Sequence, residues 1–262
     1  MFNFFGKKTQ NSAPPENISD RSIPEDFNDI EPIAFYFKAE TGITFEKQQS
    51  ILKSKLISFC KIRHIPSFKK CLEQVKNNQR LKQELINYLT TNESFFYREQ
   101  HQIQDVVNKV RLNDQVVNIL CAPSSTGEEI YSIAIALLEA GVAKDRFNLI
   151  GIDINSEALK HAELGIYNQR NIKNIPAHVL TKYFNKKESK YCLSNEIKQC
   201  VRLQTENIFT PSFKTMGKFD YIFSRNMLIY FDAETKIKAR QILESLLNDN
   251  KNPIYFGHAD LF

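Results

Sequence analysis

The stretch "VVNILCAPSSTGEEIYSIAIALLEAG", beginning at Val116, constrains the fold of this chain more than any other. "VVNILCA" is an apolar run of strand length, and "EEIYSIAIALLEAG" carries apolar residues at helical spacing up to a terminating Gly141. "FNLIGIDI" then gives a second strand and "NSEALKHAELG" a second helix. Strand, helix, strand, helix implies a parallel sheet, and such sheets take ligands outside the carboxyl ends of their strands. "CVRLQTENI", "FDYIFSRNMLIYF" and "PIYFGHA" are further strand candidates, the last two separated by the helix "AETKIKARQILESLL". The crevice is therefore expected to be lined by residues 122–129, Asp153, Asn207 and residues 225–230.

The preceding segment has a different period. Ile30, Ile33, Ala34 and Phe37 recur at helical spacing before Gly42. Leu52, Leu56 and Phe59 mark a second stripe, Phe68, Leu72 and Val75 a third behind a Ser67 cap, and Leu81, Leu85 and Leu89 a fourth. Residues 28–95 thus read as a helical domain, residues 96–262 as the sheet domain, and the polar residues 1–27 as a disordered leader. Between Lys47 and Lys82 the only acid is Glu73, against a run of lysines and arginines that includes Lys53, Lys55 and Lys61. Such a run is either a solvated face or a surface for an acidic macromolecule.

A chain of 262 residues with 42% hydrophobic content buries a substantial core in one large domain or two unequal ones. No apolar run approaches the roughly 18 residues of a membrane span. The five cysteines are odd in number and lack C-x-x-C spacing, which favours reduced thiols in a cytoplasm over disulfides or a zinc site.

Asp153 closes its strand roughly 25 residues after the first turn, the distance at which an acid meets the ribose hydroxyls of a nucleoside. A dinucleotide fits poorly, because a pyrophosphate needs closely spaced glycines and a helix N-terminus free of anions. This turn has only Gly127, followed by Glu128 and Glu129. Opposite unit charges about 4 Å apart attract by roughly 4 kcal/mol at an effective dielectric near 20, before desolvation. S-adenosylmethionine, with an α-ammonium and a sulfonium beside its adenosine, suits such a turn. Glu129 reads as the ligand-facing acid and Glu128 as a partner of its own helix dipole.

The ordered segments "TTNESFFYRE", "APSSTGEEIYSIA", "GIDINSEALKHAELGIYNQR", "FDYIFSRNMLIYFD" and "FGHAD" resemble the CheR-type chemotaxis receptor methyltransferases, from about Ile30 to Asp260. The resemblance implies a Rossmann-like, S-adenosylmethionine-dependent methyltransferase domain of the α/β class, an N-terminal helical domain, and a small inserted β-subdomain at about residues 185–202, with a hairpin around Ser194, Asn195 and Glu196. It implies methyl transfer to glutamates in the cytoplasmic domain of methyl-accepting receptors, releasing S-adenosylhomocysteine. By motif it makes Asn92, Ser94, Arg98, Glu129, Asp153, Asn207, Ile208, Arg225 and Asn226 cofactor contacts, and sets Arg98 and Tyr230 by the methyl-transfer path. Arg98 either pairs with the cofactor's carboxylate or orients the acceptor's. From the residues alone, Ser94 could be a helix cap, Arg98 a partner of Glu99, and Tyr230 core filling.

The chain departs from the family's pattern at Pro123, Ser124 and Ile130, and "NDNKNP" replaces a Pro-Gly-Gly turn. Family members normally continue into one more strand after "GHAD", which leaves that sheet edge in question. The segment "KKESKYCLSNEIKQCVRLQ" lacks the glycine-rich insertion of members that tether to a receptor's terminal peptide. A monomer suffices for this reading, with no metal, nucleic acid or membrane insertion. A nucleic-acid methyltransferase and a non-catalytic S-adenosylmethionine-responsive module are the alternatives.

Overall fold

Residues 25–112, 114–249 and 251–260 are described by a computed structural model of the chain. The expected leader lies, up to residue 24, outside them. Four helices come first. α1 (Glu31–Thr41) has Pro32 in its first turn and ends at Gly42, whose φ of 75° no side chain favours. α2 (Gln49–Ile62) buries Leu52, Leu56 and Phe59. α3 (Phe68–Asn77) is capped by Ser67, which accepts from Lys70 N, and α4 (Gln79–Leu89) by Asn78, which accepts from Leu81 N. α5 (Gln100–Arg111), an addition to the helices read from the sequence, buries Ile103, Val106, Val107 and Val110 at its a/d-type spacing.

The sheet strands alternate with helices: β1 (Val117–Cys121), α6 (Glu128–Glu139), β2 (Phe147–Asp153) and α7 (Ser156–Leu164). A short β3 (Ile166–Tyr167), α8 (Ala177–Tyr183), β4 (Phe184–Lys187), β5 (Lys190–Leu193) and α9 (Asn195–Lys198) follow. The chain then returns through β6 (Val201–Thr205), α10 (Pro211–Lys214), β7 (Tyr221–Ser224), α11 (Ala233–Glu244) and β8 (Ile254–Phe256). The main sheet has the order β6-β2-β1-β7-β8, every pairing parallel. Its β1/β7 boundary is where the order reverses, the position at which open α/β sheets bind ligands.

Strand residues divide by parity between two cores. Val117, Ile119, Cys121, Tyr221 and Phe223 pack with α5, α6 and the small sheet. Leu120, Ile152 and Ile222 pack with the buried faces of α1–α4 and α11. The helical segment therefore has no separate core from the sheet domain; it meets that domain beyond the strands' carboxyl ends, where Thr44 N donates to Tyr230 O, Gln83 to Ile154 O and Asn207 to Glu40 O.

The small sheet differs from expectation. It has the order β3-β5-β4, and its hairpin turns at residues 188–189, closed by the Lys187–Lys190 pair. Glu188 supplies the positive φ (53°) that a two-residue turn needs. Ser194, Asn195 and Glu196, the expected turn, instead enter α9, which buries Ile197 completely. "FDYIFSRNMLIYF" also departs: only Tyr221–Ser224 is strand, and a 3-10 turn at Leu228–Tyr230 follows.

The basic run is less positive than its local sequence suggests. Lys61 meets Glu25 at 3.9 Å, Arg63 and Arg80 share Glu84, and Lys82 meets Glu40 at 2.8 Å, so acids from beyond both ends of the run fold back onto it. Lys55 turns inward and donates to Leu89 O.

Candidate functional site

A cavity of about 350 Å³ opens at the carboxyl ends of β1, β2 and β7, within the usual size of small-molecule sites. One wall comes from the helical segment, through Ile43, Ile51, Lys55 and Leu89. Asn92, Ser94, Arg98, Glu129, Asp153, Asn207, Ile208, Arg225, Asn226 and Tyr230 all line this one cavity, although more than half of the sequence separates the first from the last.

The turn after β1 holds its acids by backbone geometry. Ser124 N donates to Ile152 O (2.7 Å), tying the turn to the neighbouring strand. Gly127 has φ 91°, and a Cβ there would fall 2.7 Å from the Tyr131 ring and 2.8 Å from Ala162 Cβ, so only glycine fits. Asp153 accepts from Ser125 N and Asn155 N, both at 2.8 Å. Burial raises its carboxyl to about 6 despite these bonds. A carboxylate has about four lone-pair sites, and two backbone donors leave room for ribose hydroxyls.

Asn155 joins this strand end to the helical segment. Its side-chain oxygen caps α7 through Ala158 N, and its amide nitrogen donates to Thr90 Oγ1 (2.7 Å) and Asn87 O (3.2 Å). Asn87 in turn receives Ser156 N, while Gln83 donates to Ile154 O. The backbone around Asp153 is thus set by α4 as much as by its own sheet.

Glu129 and Arg225 form a buried pair, with Nη1 2.9 Å from Oε2. The approach lies off the N–H direction, so this is an ion pair rather than a hydrogen bond, and Glu129 Oε1 has no hydrogen-bond partner among the described residues. Burial raises the Glu129 carboxyl, and Arg225 opposes that rise. Glu99, the acid beside Arg98, turns to Arg225 Nε (3.8 Å) and accepts from His258 N (3.2 Å). Arg98 instead lies over the Phe95 ring, 5.4 Å from its centroid. Buried Ser124 Oγ and Ser125 Oγ, like Glu129 Oε1, have no hydrogen-bond partner among the described residues. The three guanidinium nitrogens of Arg225 likewise have no hydrogen-bond partner among the described residues, so the unpaired groups buried at this wall of the cavity include donors as well as acceptors.

Glu128 does more than face its helix dipole. It is fully buried and accepts from Thr126 Oγ1 and Asn171 Nδ2, both at 2.7 Å; burial raises its carboxyl. Asn171 also donates to Ser94 O and accepts from Phe96 N, which fixes the segment carrying Asn92, Ser94 and Arg98. Nothing in the polar tract "YNQRN" marks Asn171 as the residue that turns inward.

The opposite rim is organised by Asp260, which accepts from the backbone N–H groups of Asn226, Gly257 (3.1 Å) and Ile229 (3.3 Å). Asn226 takes φ 58°, and this ends β7 and sends the chain into the turn that carries Tyr230. Tyr230 stands 36% exposed at the mouth, and its hydroxyl is raised chiefly by burial. The Asn207 side chain is committed to structure: it donates to Glu40 O (2.7 Å) and accepts from Phe209 N (2.9 Å). Ile208 adds an apolar floor beside it. Asp260 was missed in sequence because only its place in "GHAD", and no periodicity, singles it out.

The family model described as "CheR methyltransferase, SAM binding domain" matches residues 92–262. The chain is similar to a chemotaxis protein methyltransferase of Campylobacter jejuni, with 36% identity over 222 residues covering 84% of each chain. It is also similar to chemotaxis protein methyltransferase 2 of Vibrio cholerae, with 33% identity, 86% of this chain and 82% of that one. Among solved structures, magnesium protoporphyrin IX methyltransferase from Synechocystis with bound SAM aligns at 15% identity and TM-score 0.32, over 70% of this chain and 69% of that one. With the family's S-adenosylmethionine-binding domain matched across the whole cavity-bearing sheet, the chain belongs to the CheR methyltransferase family and is an S-adenosylmethionine-dependent methyltransferase.

Proposed function

We propose that this enzyme methylates glutamate side chains in the cytoplasmic domain of chemotaxis receptors. The observation that carries the reading is the pairing of Glu129 and Asp153 in one cavity, beside a rim that presents Arg98 and Tyr230 to solvent. The named functions of the Campylobacter and Vibrio relatives support the chemotaxis setting.

In this reading Asp153 holds the ribose hydroxyls and the Glu129 carboxylate receives the α-ammonium. Ser94, Asn92, Ile208, Arg225 and Asn226 complete the cofactor's surroundings, and Asn207 contributes through its backbone. S-adenosylmethionine supplies a methyl group activated by its sulfonium. A glutamate acceptor, with pKa about 4.3, is ionised at neutral pH and needs no general base. The acceptor oxygen forms its bond to the methyl carbon as the methyl–sulfur bond breaks; the carboxylate becomes a neutral ester and no proton moves. The chain's own task is alignment and exclusion of water. Arg98, released from Glu99 and braced on Phe95, orients the acceptor carboxylate by a charge-assisted fork, while Tyr230 borders its path.

The test is the chemistry of the product. Incubation with methyl-labelled S-adenosylmethionine and a receptor's cytoplasmic fragment should label protein, and mild alkali should release the label as methanol. Alkali-stable label, or label on nucleic acid, would reject the carboxyl acceptor; binding without transfer would favour a sensor module.

A further inference from the structure

Beside the cavity mouth, residues 168–173 form a turn that the methyl-transfer reading leaves unused. Its backbone is fixed by its own asparagines: Asn171 N donates to Asn168 O (3.1 Å), Asn168 N to Asn171 Oδ1 (3.1 Å), and Arg170 N to Asn168 Oδ1 (2.9 Å). Asn171 is pinned inward on Glu128 and Ile172 is buried, so the flanking Arg170 and Lys173 are forced outward.

Both cations land on rim residues. Lys173 Nζ sits 4.4 Å from the Phe95 ring centroid, on the ring that Arg98 also contacts, and Arg170 Nη2 is 3.3 Å from Glu93 Oε2. Glu93 and Arg98 line the cavity. The Arg170–Glu93 pair is 74% and 70% exposed, and exposed pairs of this kind contribute roughly 0–1 kcal/mol. Folding therefore gains little from the one acid that Arg170 meets, Arg98 and Lys173 being set against the Phe95 ring, and a partner's carboxylate can replace Glu93 at small cost.

We propose that Arg170 and Lys173 form a docking surface for acidic side chains flanking the acceptor glutamate, with the acceptor itself directed to Arg98. The inference rests on the carboxyl-methyl reading above. Charge complementarity selects the partner: on a helix, residues three and four positions from the acceptor lie about 5–6 Å away between Cβ atoms, within the span of these side chains. Attraction of that kind acts on encounter and register, so it belongs to KM for the protein substrate and not to cofactor affinity.

The experiment compares wild type with Arg170→Glu/Lys173→Glu, using the cytoplasmic fragment of a chemotaxis receptor from the same organism. The expected result is a rise of fivefold or more in KM for the fragment, with the S-adenosylhomocysteine dissociation constant unchanged. Arg170→Lys/Lys173→Arg should retain wild-type KM. An Arg170→Gln/Lys173→Gln variant serves if the reversed charges disturb folding, with the same fivefold threshold. A smaller rise while wild type forms alkali-labile esters would overturn the docking surface and leave the function standing. Absence of ester from wild type would overturn both.

Discussion

Arg225 and Glu129 meet at 2.9 Å with side chains only 2% and 11% exposed, so the acid expected to face the cofactor is also half of a buried ion pair. Removing one member of such a pair strands the other charge, at a cost of about 3–5 kcal/mol. Arg225→Met should accordingly lose stability of that order in urea denaturation. Adding Glu129→Gln should recover much of the loss while still weakening S-adenosylhomocysteine binding in calorimetry.

Asp153 sets a pH dependence. Its carboxyl, raised to about 6 by burial, holds a proton in the folded chain that the unfolded chain has released above about pH 4. The folded state thus binds more protons between about pH 4 and 6, and stability falls as pH rises through that window, by about 3 kcal/mol in all. Cofactor binding runs the other way, because ribose hydroxyls need the carboxylate. The S-adenosylhomocysteine dissociation constant should fall as pH rises through about 6 and then level off. Glu129, also raised, adds slope of the same sign, so a titration of Asp153→Asn isolates the share due to Asp153.

Asp260 should matter to turnover without touching the methyl group. Asp260→Ala strands the N–H groups of Asn226, Gly257 and Ile229, a cost of at least about 2 kcal/mol. It also frees the turn bearing Tyr230, and the misplacement should lower kcat roughly ten- to hundredfold. Asp260→Asn, which keeps an acceptor oxygen, should lie between. Steady-state kinetics with a receptor fragment would show the order.

Asn155 offers a separation of cap from joint. Asn155→Asp keeps the acceptor that caps α7 and removes the donors to Thr90 and Asn87, for a loss of about 1–2 kcal/mol. If α4 sets the backbone around Asp153, S-adenosylhomocysteine binding should weaken roughly fivefold, about 1 kcal/mol. Asn155→Ala should cost about 1 kcal/mol more in stability, through the lost cap. Unchanged affinity in the aspartate variant would confine the joint to stability.

What could be read in the sequence was whatever a short window determines. The apolar runs at Val117 and Phe147, the cap at Ser67, and the acids at the strand ends are local signals, and the elements form where they place them. The hairpin turn was misplaced because Glu188 carries a positive φ without the glycine or asparagine that usually announces one. Glu128 looked like a first-turn acid because its partner, Asn171, lies 43 positions away. The basic run looks uncompensated for the same reason: Glu25 and Glu40 precede it and meet it only in three dimensions, while Glu84 lies just past its end, one helical turn from Arg80.

The parity of the β1 and β7 side chains bears on how this molecule comes apart. Leu120, Ile152 and Ile222 belong to one continuous core with α1–α4 and α11, and their strand neighbours seat α5 and α6 on the reverse side. Neither layer can melt without baring a face of the same strands. Heating should then produce a single calorimetric transition, with equal van't Hoff and calorimetric enthalpies, despite the contrast between a helical half and a sheet half. By the same logic, excising the first ninety residues would not liberate a sturdy catalytic fragment; it would bare the apolar residues that the helices share with the sheet domain, a surface prone to aggregate.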